Sequence, residues 1–187
     1  DLIVSVENVG TEPSGVITAT LEPQTGNVSM VTEILEVSSI ASGEIIEIGP
    51  FQFDVSINIL DQGEIVFILV IQDGEASWEY EIVLTADAPA YQLLSSMIFD
   101  GGNGALDPGE SATIQIVMEN TGSAPLNYPT FAGYSNDPYL TVTEVGGDNA
   151  YYWETGTSAI VTGNIVVSND APIGYTAVMW LDIGSVD

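Results

Sequence analysis

With 187 residues and 45% hydrophobic content, the chain holds enough apolar material for one large core or two small ones, which excludes a disordered polymer. Its 27 acidic residues meet no Lys, Arg or His, giving a formal charge of −27, so no side chain can neutralise a phosphate. Nucleic acids and anionic membrane surfaces are thereby excluded as partners. The absence of Cys removes disulfides, thiolate chemistry and Cys-ligated zinc.

Charged residues make up only 14% of the chain, so base has been removed more than acid has been added. Three accounts fit this balance: escape from Lys- or Arg-specific proteases outside the cell, neutralisation by divalent cations, or a longer chain whose basic residues lie elsewhere. No apolar run reaches the roughly 18 to 20 residues that cross a bilayer as a helix, so no membrane insertion is expected. The opening DLIVSVEN lacks a basic region and a cleavage site, as expected of a mature product or an excised segment.

Alternation with a period of two runs along the whole chain, and no segment sustains a helical period. Leu2, Val4 and Val6 face one way in the first predicted strand, and residues 15–21 form a second. Pro23, Gly26 and Asn27 break the chain before a strand over 28–32. Asn27-Val28-Ser29 also fits a glycosylation sequon, a match expected by composition alone. Phe51, Phe53, Val55 and Ile57 are expected to share an inward face. Asp61-Gln62-Gly63 then turns the chain into Ile65, Phe67, Leu69 and Ile71, and Asp73-Gly74 marks a hairpin into Trp78, Tyr80, Ile82 and Leu84. Short strands at this spacing predict β-sandwiches. Ala86-Asp87-Ala88-Pro89-Ala90 reads as a short, semi-rigid joint.

The second half repeats the first. Glu7-Asn8 and Glu119-Asn120 lie 112 positions apart (119 − 7), and the same offset carries Leu2, Val4 and Val6 onto Ile114, Ile116 and Met118. Val55-Ser56 lands on Val167-Ser168, Gly63 is matched to Gly174 with one residue lost, and 67–71 falls on 179–183. This predicts an all-β fold of two tandem sandwiches, 1–87 and 92–187. Projecting one copy onto the other leaves the first without its opening strand and the second without the strand equivalent to 78–84. Either the array continues beyond these residues, or a neighbouring subunit donates the strand, since unpaired edges recruit strands.

Several motifs together carry a resemblance. Asn103-Gly104, Asp107-Pro108-Gly109-Glu110, Glu119-Asn120-Thr121-Gly122 and Asp137-Pro138-Tyr139-Leu140-Thr141-Val142 are four of them. Asn169-Asp170-Ala171-Pro172-Ile173-Gly174 and Ser77-Trp78-Glu79-Tyr80 complete the set. The combination resembles the immunoglobulin-like modules appended to gingipain-type secreted peptidases and found in other bacterial surface proteins. The resemblance implies immunoglobulin-like sandwiches serving as spacers, stability domains or adhesive units, extracellular or at the cell surface. The peptidase chemistry does not carry over, because Cys and His are absent.

The loop DGGNGALDPGE offers Asp100, Asn103, Asp107 and Glu110 as candidate Ca²⁺ ligands, since calcium takes six to eight hard oxygens. Its alternative is a glycine-rich turn in which Asp107 and Glu110 cap backbone amides. Asn8-Val9-Gly10 and Asn120-Thr121-Gly122 read as turns exploiting the tolerance of Asn and Gly for positive φ. Tyr134 and Tyr139, flanking the turn at 135–138, are the candidate ligand-binding aromatics, whereas Trp153, near the position of Ile40 in the first copy, is expected in a core. Without His, Lys or Cys there is no Ser–His pair, Schiff base or thiol nucleophile, so no enzyme is expected. The function expected is structural: a stalk, sheath or filament subunit whose partners are other copies or neighbouring modules. A carbohydrate-binding or adhesive module of a larger secreted protein is the alternative.

Overall fold

The computed structural model describes residues 1–149 and 151–186, all of them in strands, turns and loops. Two compact units form, Asp1–Ala86 and Asp87–Asp187. In the first, the strands are β1 (Leu2–Glu7), β2 (Ile17–Pro23), β3 (Val28–Thr32), β4 (Ile34–Val37), β5 (Ile45–Val55), β6 (Glu64–Asp73) and β7 (Ala76–Thr85). In the second they are β8 (Tyr91–Phe99), β9 (Ser111–Asn120), β10 (Leu126–Asn127), β11 (Pro129–Tyr134), β12 (Leu140–Gly147), β13 (Tyr152–Trp153), β14 (Ser158–Val167) and β15 (Trp180–Ser185).

The first unit is a sandwich of one sheet in the order β1-β5-β3 and another in the order β4-β2-β6-β7. Strand alternation supplies the filling between them. Ile17, Ala19 and Leu21 of β2 and Ile65, Phe67, Leu69 and Ile71 of β6 point inward and are buried, with Ile48 and Phe51 of β5 opposite. Phe67 packs against Phe53 with ring centroids 4.9 Å apart. Each fully buried Phe or Leu contributes about 1.5–3 kcal/mol relative to exposure.

Parity changes within β5: Ile48 and Phe51 both face inward, and the pairing with β1 shifts register between Leu2↔Phe51 and Val4↔Ile48. That bulge inserts one residue and flips the alternation. Two expectations about faces are corrected. Val55, the last residue of β5, is 38% exposed, and Ile57 lies beyond its end, in the turn that follows, and is 68% exposed. On β7 only Ile82 and Leu84 reach the core, while Trp78 and Tyr80 remain about half exposed.

The second unit follows the same plan. Val4↔Ile48 and Val6↔Ile46 between β1 and β5 correspond to Ile116↔Val161 and Met118↔Ala159 between β9 and β14. Val28↔Val55 corresponds to Leu140↔Val167, and Ala19↔Ile71 corresponds to Phe131↔Ile183. Even the loops agree: the Ser56 N–H donates to Asn27 O at 2.8 Å, and the Ser168 N–H to Tyr139 O at 2.9 Å.

Each unit carries one strand that the other lacks among the described residues. β8 pairs with β9, whereas the matching edge of β1 has no neighbour. β7 pairs with β6, whereas β15 pairs with β11 alone. β6, flanked on both sides, runs ten residues, whereas β15 runs six and residues 176–179 carry no strand.

Gly63 and Gly174 are not equivalents. Gln62, at φ 59°, takes the left-handed position that Gly174 takes at φ 78°, and the N–H groups of Gly63 and Tyr175 close matching turns onto Leu60 O and Pro172 O. The offset therefore stays at 112 with no residue lost. Gly63 is required for another reason, because a Cβ there would lie 2.8 Å from Leu60 O.

The expected joint is tied down at both ends. Ala86 exchanges hydrogen bonds with Gln62 and Gly63 inside the first unit. Ala88 O accepts from the Ala124 N–H and Ala90 O from the Thr121 N–H inside the second.

Candidate functional site

The acidic loop between β8 and β9 is built from side chains that hold its own amides. Asp100 accepts the Gly102 N–H through Oδ1 and the Gly104 N–H through Oδ2, both at 2.9 Å. Asn103 Oδ1 accepts the Ala105 N–H at 2.8 Å, and its Nδ2 donates to Asp107 Oδ2 at 3.2 Å. Glu110 Oε2 takes the Asp107 N–H at 2.9 Å. Gly101, Gly104 and Gly109 supply positive φ at 75°, 80° and 87°.

Of the four candidate calcium ligands, the fold links Asn103, Asp107 and Glu110 in sequence and turns Asp100 onto the glycine amides. No group of three acidic side chains converges on one point among the described residues. The amide of Gly102, more than any other contact, holds the Asp100 carboxyl below its ordinary range, because a donated hydrogen bond favours the charged form.

The two candidate tyrosines have separate surroundings. Tyr134 ends β11 opposite Trp180 and is 43% exposed. Tyr139 packs edge-on against Tyr175, centroids 5.1 Å apart, and its N–H caps on Asp137 Oδ1. The Tyr175 hydroxyl donates to Asp137 Oδ2 at 3.0 Å, and this bond is the main reason its pKa is raised. Tyr139 and Tyr175 line an apolar cavity of about 380 Å³ with Leu106, Ile165 and Met179. Tyr175 was not selected from the sequence; its place one residue after the turn glycine Gly174 was the available signal.

Trp153 is fully buried, stacked on Tyr91 at 5.1 Å and tilted against Phe131 at 6.0 Å, and its Nε1–H donates to Thr157 O. Tyr151 and Tyr152 beside it are exposed.

The loops after β1 and β9 are the most closely copied local feature. Asn8 Nδ2 donates to Glu12 O and Ile40 O, both at 2.9 Å, and its Oδ1 accepts the Gly10 N–H at 3.0 Å. Asn120 Nδ2 donates to Ala124 O at 2.9 Å and Trp153 O at 3.3 Å, and its Oδ1 accepts the Gly122 N–H at 3.1 Å. The expectation of positive φ is corrected: none of Asn8, Gly10, Asn120 and Gly122 adopts it. The asparagine is needed because one amide group both donates to and accepts from the backbone.

In the first unit this loop borders an open cavity of about 390 Å³ between the free edge of β1 and β7, lined by Val6, Asn8, Ile17, Ile40, Trp78 and Tyr80. Compared with known proteins, the chain matches no protein-family model and no curated protein.

Proposed function

We propose that this chain is a non-enzymatic extracellular structural module, a stalk, sheath or filament subunit made of tandem immunoglobulin-like repeats that join by strand complementation. The observation that carries the reading is the repeated plan of the two units, in which Val4↔Ile48 and Ala19↔Ile71 recur as Ile116↔Val161 and Phe131↔Ile183, with β1 and β15 at sheet edges among the described residues. Unpaired N–H and C=O rows on a sheet edge favour addition of another strand. Neither edge is blunted by Lys, the residue natural sheets most often use for that purpose, since the chain has none. The same lack of Lys and Arg leaves no cleavage site for trypsin-like proteases, which suits a product exposed outside the cell.

Electron microscopy and sedimentation of the purified full chain test the reading. Filaments or ordered strings of units support it; a monodisperse monomer at all salt and protein concentrations refutes it.

A second reading, an adhesive or carbohydrate-binding module of a larger secreted protein, is favoured by the Tyr139–Tyr175 pair at the rim of an apolar cavity. Stacking rings beside a cleft suit sugar faces. Glycan-array binding that disappears in Tyr175→Ala would support it.

A further inference from the structure

With no cation among the side chains, a contact between two copies of this chain can contain no side-chain ion pair. A carboxylate buried in such a contact would lose its water and gain no partner of opposite charge. A face that binds its own copy must therefore be clear of acid at its centre. Most sheet faces among the described residues are not. The sheet β1-β5-β3 presents Glu47 and Asp54 to solvent, β4-β2-β6-β7 presents Glu79 and Glu81, and the pair β11-β15 presents Asp182.

The four-stranded sheet of the second unit, β12-β14-β9-β8, differs. β8 and β14 contain no acidic residue. On its outward face the two central strands bring together Val117↔Ile160, Gln115↔Thr162 and Thr113↔Asn164. Met97 and Phe99 of β8 continue these rows opposite Gln115 and Thr113 and are exposed. The change from the first unit is specific. Ser5↔Glu47 there corresponds to Val117↔Ile160, and Ser29↔Asp54 corresponds to Thr141↔Val166, so two carboxylates have become aliphatic side chains. The carboxylates of this sheet stand at its rim: Glu119 near the end of β9, and Glu144 and Asp148 on the β12 side. The last two are already held, Glu144 Oε2 by the Asn164 Nδ2–H and Asp148 Oδ1 by the Ile160 N–H at 2.8 Å.

We infer that the outward face of β12-β14-β9-β8 binds the same face of a second copy of this chain, about a two-fold axis that passes near Gln115 and Thr162. The inference rests on the reading of the chain as a self-assembling module and names a contact distinct from edge pairing. A two-fold contact sets like residues against like, so its chemistry must be self-complementary. Hydroxyls and carboxamides both donate and accept, and so meet that condition; carboxylates only accept. Val117, Ile160, Met97 and Phe99 add apolar area between these polar groups, the charge-depleted mixture that occupies the centre of protein interfaces. A basic partner would be drawn instead to the faces that keep their acids. Four strands about 4.8 Å apart, at about 3.3 Å per residue along a ten-residue β14, give a footprint of about 600 Å² on each copy. The total of about 1,200 Å² lies at the lower end of the range for stable interfaces.

Sedimentation equilibrium of the purified full chain at about 0.15 M salt, where screening confines repulsion to short range, is the test. The parent should form dimers in a concentration-dependent way. Thr162→Glu sets a carboxylate at the centre of the contact and should weaken dimerisation at least about tenfold, while the melting curve stays within a few degrees of the parent because the position is exposed. Thr162→Gln, of similar size to that variant and uncharged, should dimerise as the parent does. Ser29→Glu adds the same charge to the corresponding sheet of the first unit and should leave dimerisation unchanged. A parent that stays monomeric at every concentration overturns the inference, and so does a Thr162→Glu chain that dimerises as tightly as the parent. Equal weakening by Ser29→Glu overturns it too, since added charge anywhere would then suffice. The two readings fail separately: filaments whose formation ignores Thr162→Glu keep the structural role and remove this face, whereas dimers lost in Thr162→Glu from a chain that never forms filaments keep the face and remove the filament.

Discussion

Asn8 and Asn120, 112 positions apart, make the same three side-chain hydrogen bonds, each donating to the carbonyls four residues ahead and across the unit while accepting the N–H two residues ahead. Their main chains agree as well. The Gly43 N–H donates to Asn8 O at 2.8 Å and the Gly156 N–H to Asn120 O at 2.7 Å, with φ of 74° and 72° at the two glycines. What differs is burial: Asn120 is fully buried under residues 88–91, and Asn8 is only half-buried.

That difference sets unequal costs for one substitution. Asn120→Ala strands buried partners that water cannot reach, Trp153 O among them, and should destabilise by about 2–4 kcal/mol. Asn8→Ala leaves its partners open to water and should cost about 1 kcal/mol. Urea denaturation of both variants checks the ordering; equal losses would mean that the segment over Asn120 does not shield it.

Trp153 should dominate the stability of the second unit. Trp153→Ala removes the ring that touches both Tyr91 and Phe131 and should cost about 3–5 kcal/mol. Trp153→Phe retains most of the packing, loses the Nε1–H bond to Thr157 O, and should cost about 1–2 kcal/mol. Fluorescence provides an independent readout. Trp78 and Trp180 are 47% and 54% exposed, so Trp153→Phe should shift the folded-state emission to the red.

Much of the fold was legible because a period of two and a repeat at fixed offset are both properties of the linear sequence. The inward faces of β1 and β6 and the matching of β1 to β9 follow from them. The misplacements arose where residue identity stood in for conformation. Gly63 was matched to Gly174 because both are glycines, yet one avoids a steric clash with Leu60 O and the other supplies a left-handed turn whose counterpart is Gln62. The apolar alternation runs on past Phe53 to the end of β5 and into the turn that follows, so the inward face was carried too far, to Val55 and Ile57. The contact of Tyr139 with Tyr175 joins two loops 36 positions apart (175 − 139) and leaves no periodic trace. The likeness of the loops at Gly10 and Gly122 becomes visible only when their hydrogen bonds to Asn8 and Asn120 are laid side by side.

The loop after β8 should respond to acid through Asp100. Its folded-state pKa is depressed, chiefly by the Gly102 amide, so its contribution to loop order is fully present above the unfolded value near 4 and is lost as pH falls through the folded value. Amide hydrogen exchange at Gly102 and Gly104 should quicken, relative to the intrinsic rate, as pH falls below about 4. Asp100→Asn, which retains a single carbonyl oxygen for two amides, should show the quickened exchange already at neutral pH. Protection unchanged in that variant would show that the glycine turns hold the loop without the carboxylate.

Assembly should depend on ionic strength in a direction fixed by the charge. With −27 on each chain and no cation among its side chains, approach of two copies is opposed at long range. The screening length is about 30 Å at 0.01 M salt and about 8 Å at 0.15 M. Repulsion therefore acts across a whole unit at low salt and only between touching surfaces at the higher concentration. Light scattering should show association rising with sodium chloride, and rising at far lower concentrations of calcium or magnesium, because a divalent ion can bridge two carboxylates as well as screen them. Chelation should reverse the divalent effect and leave the sodium effect intact. Equal association in low salt with EDTA would remove cations from the account and leave edge pairing alone to overcome the charge.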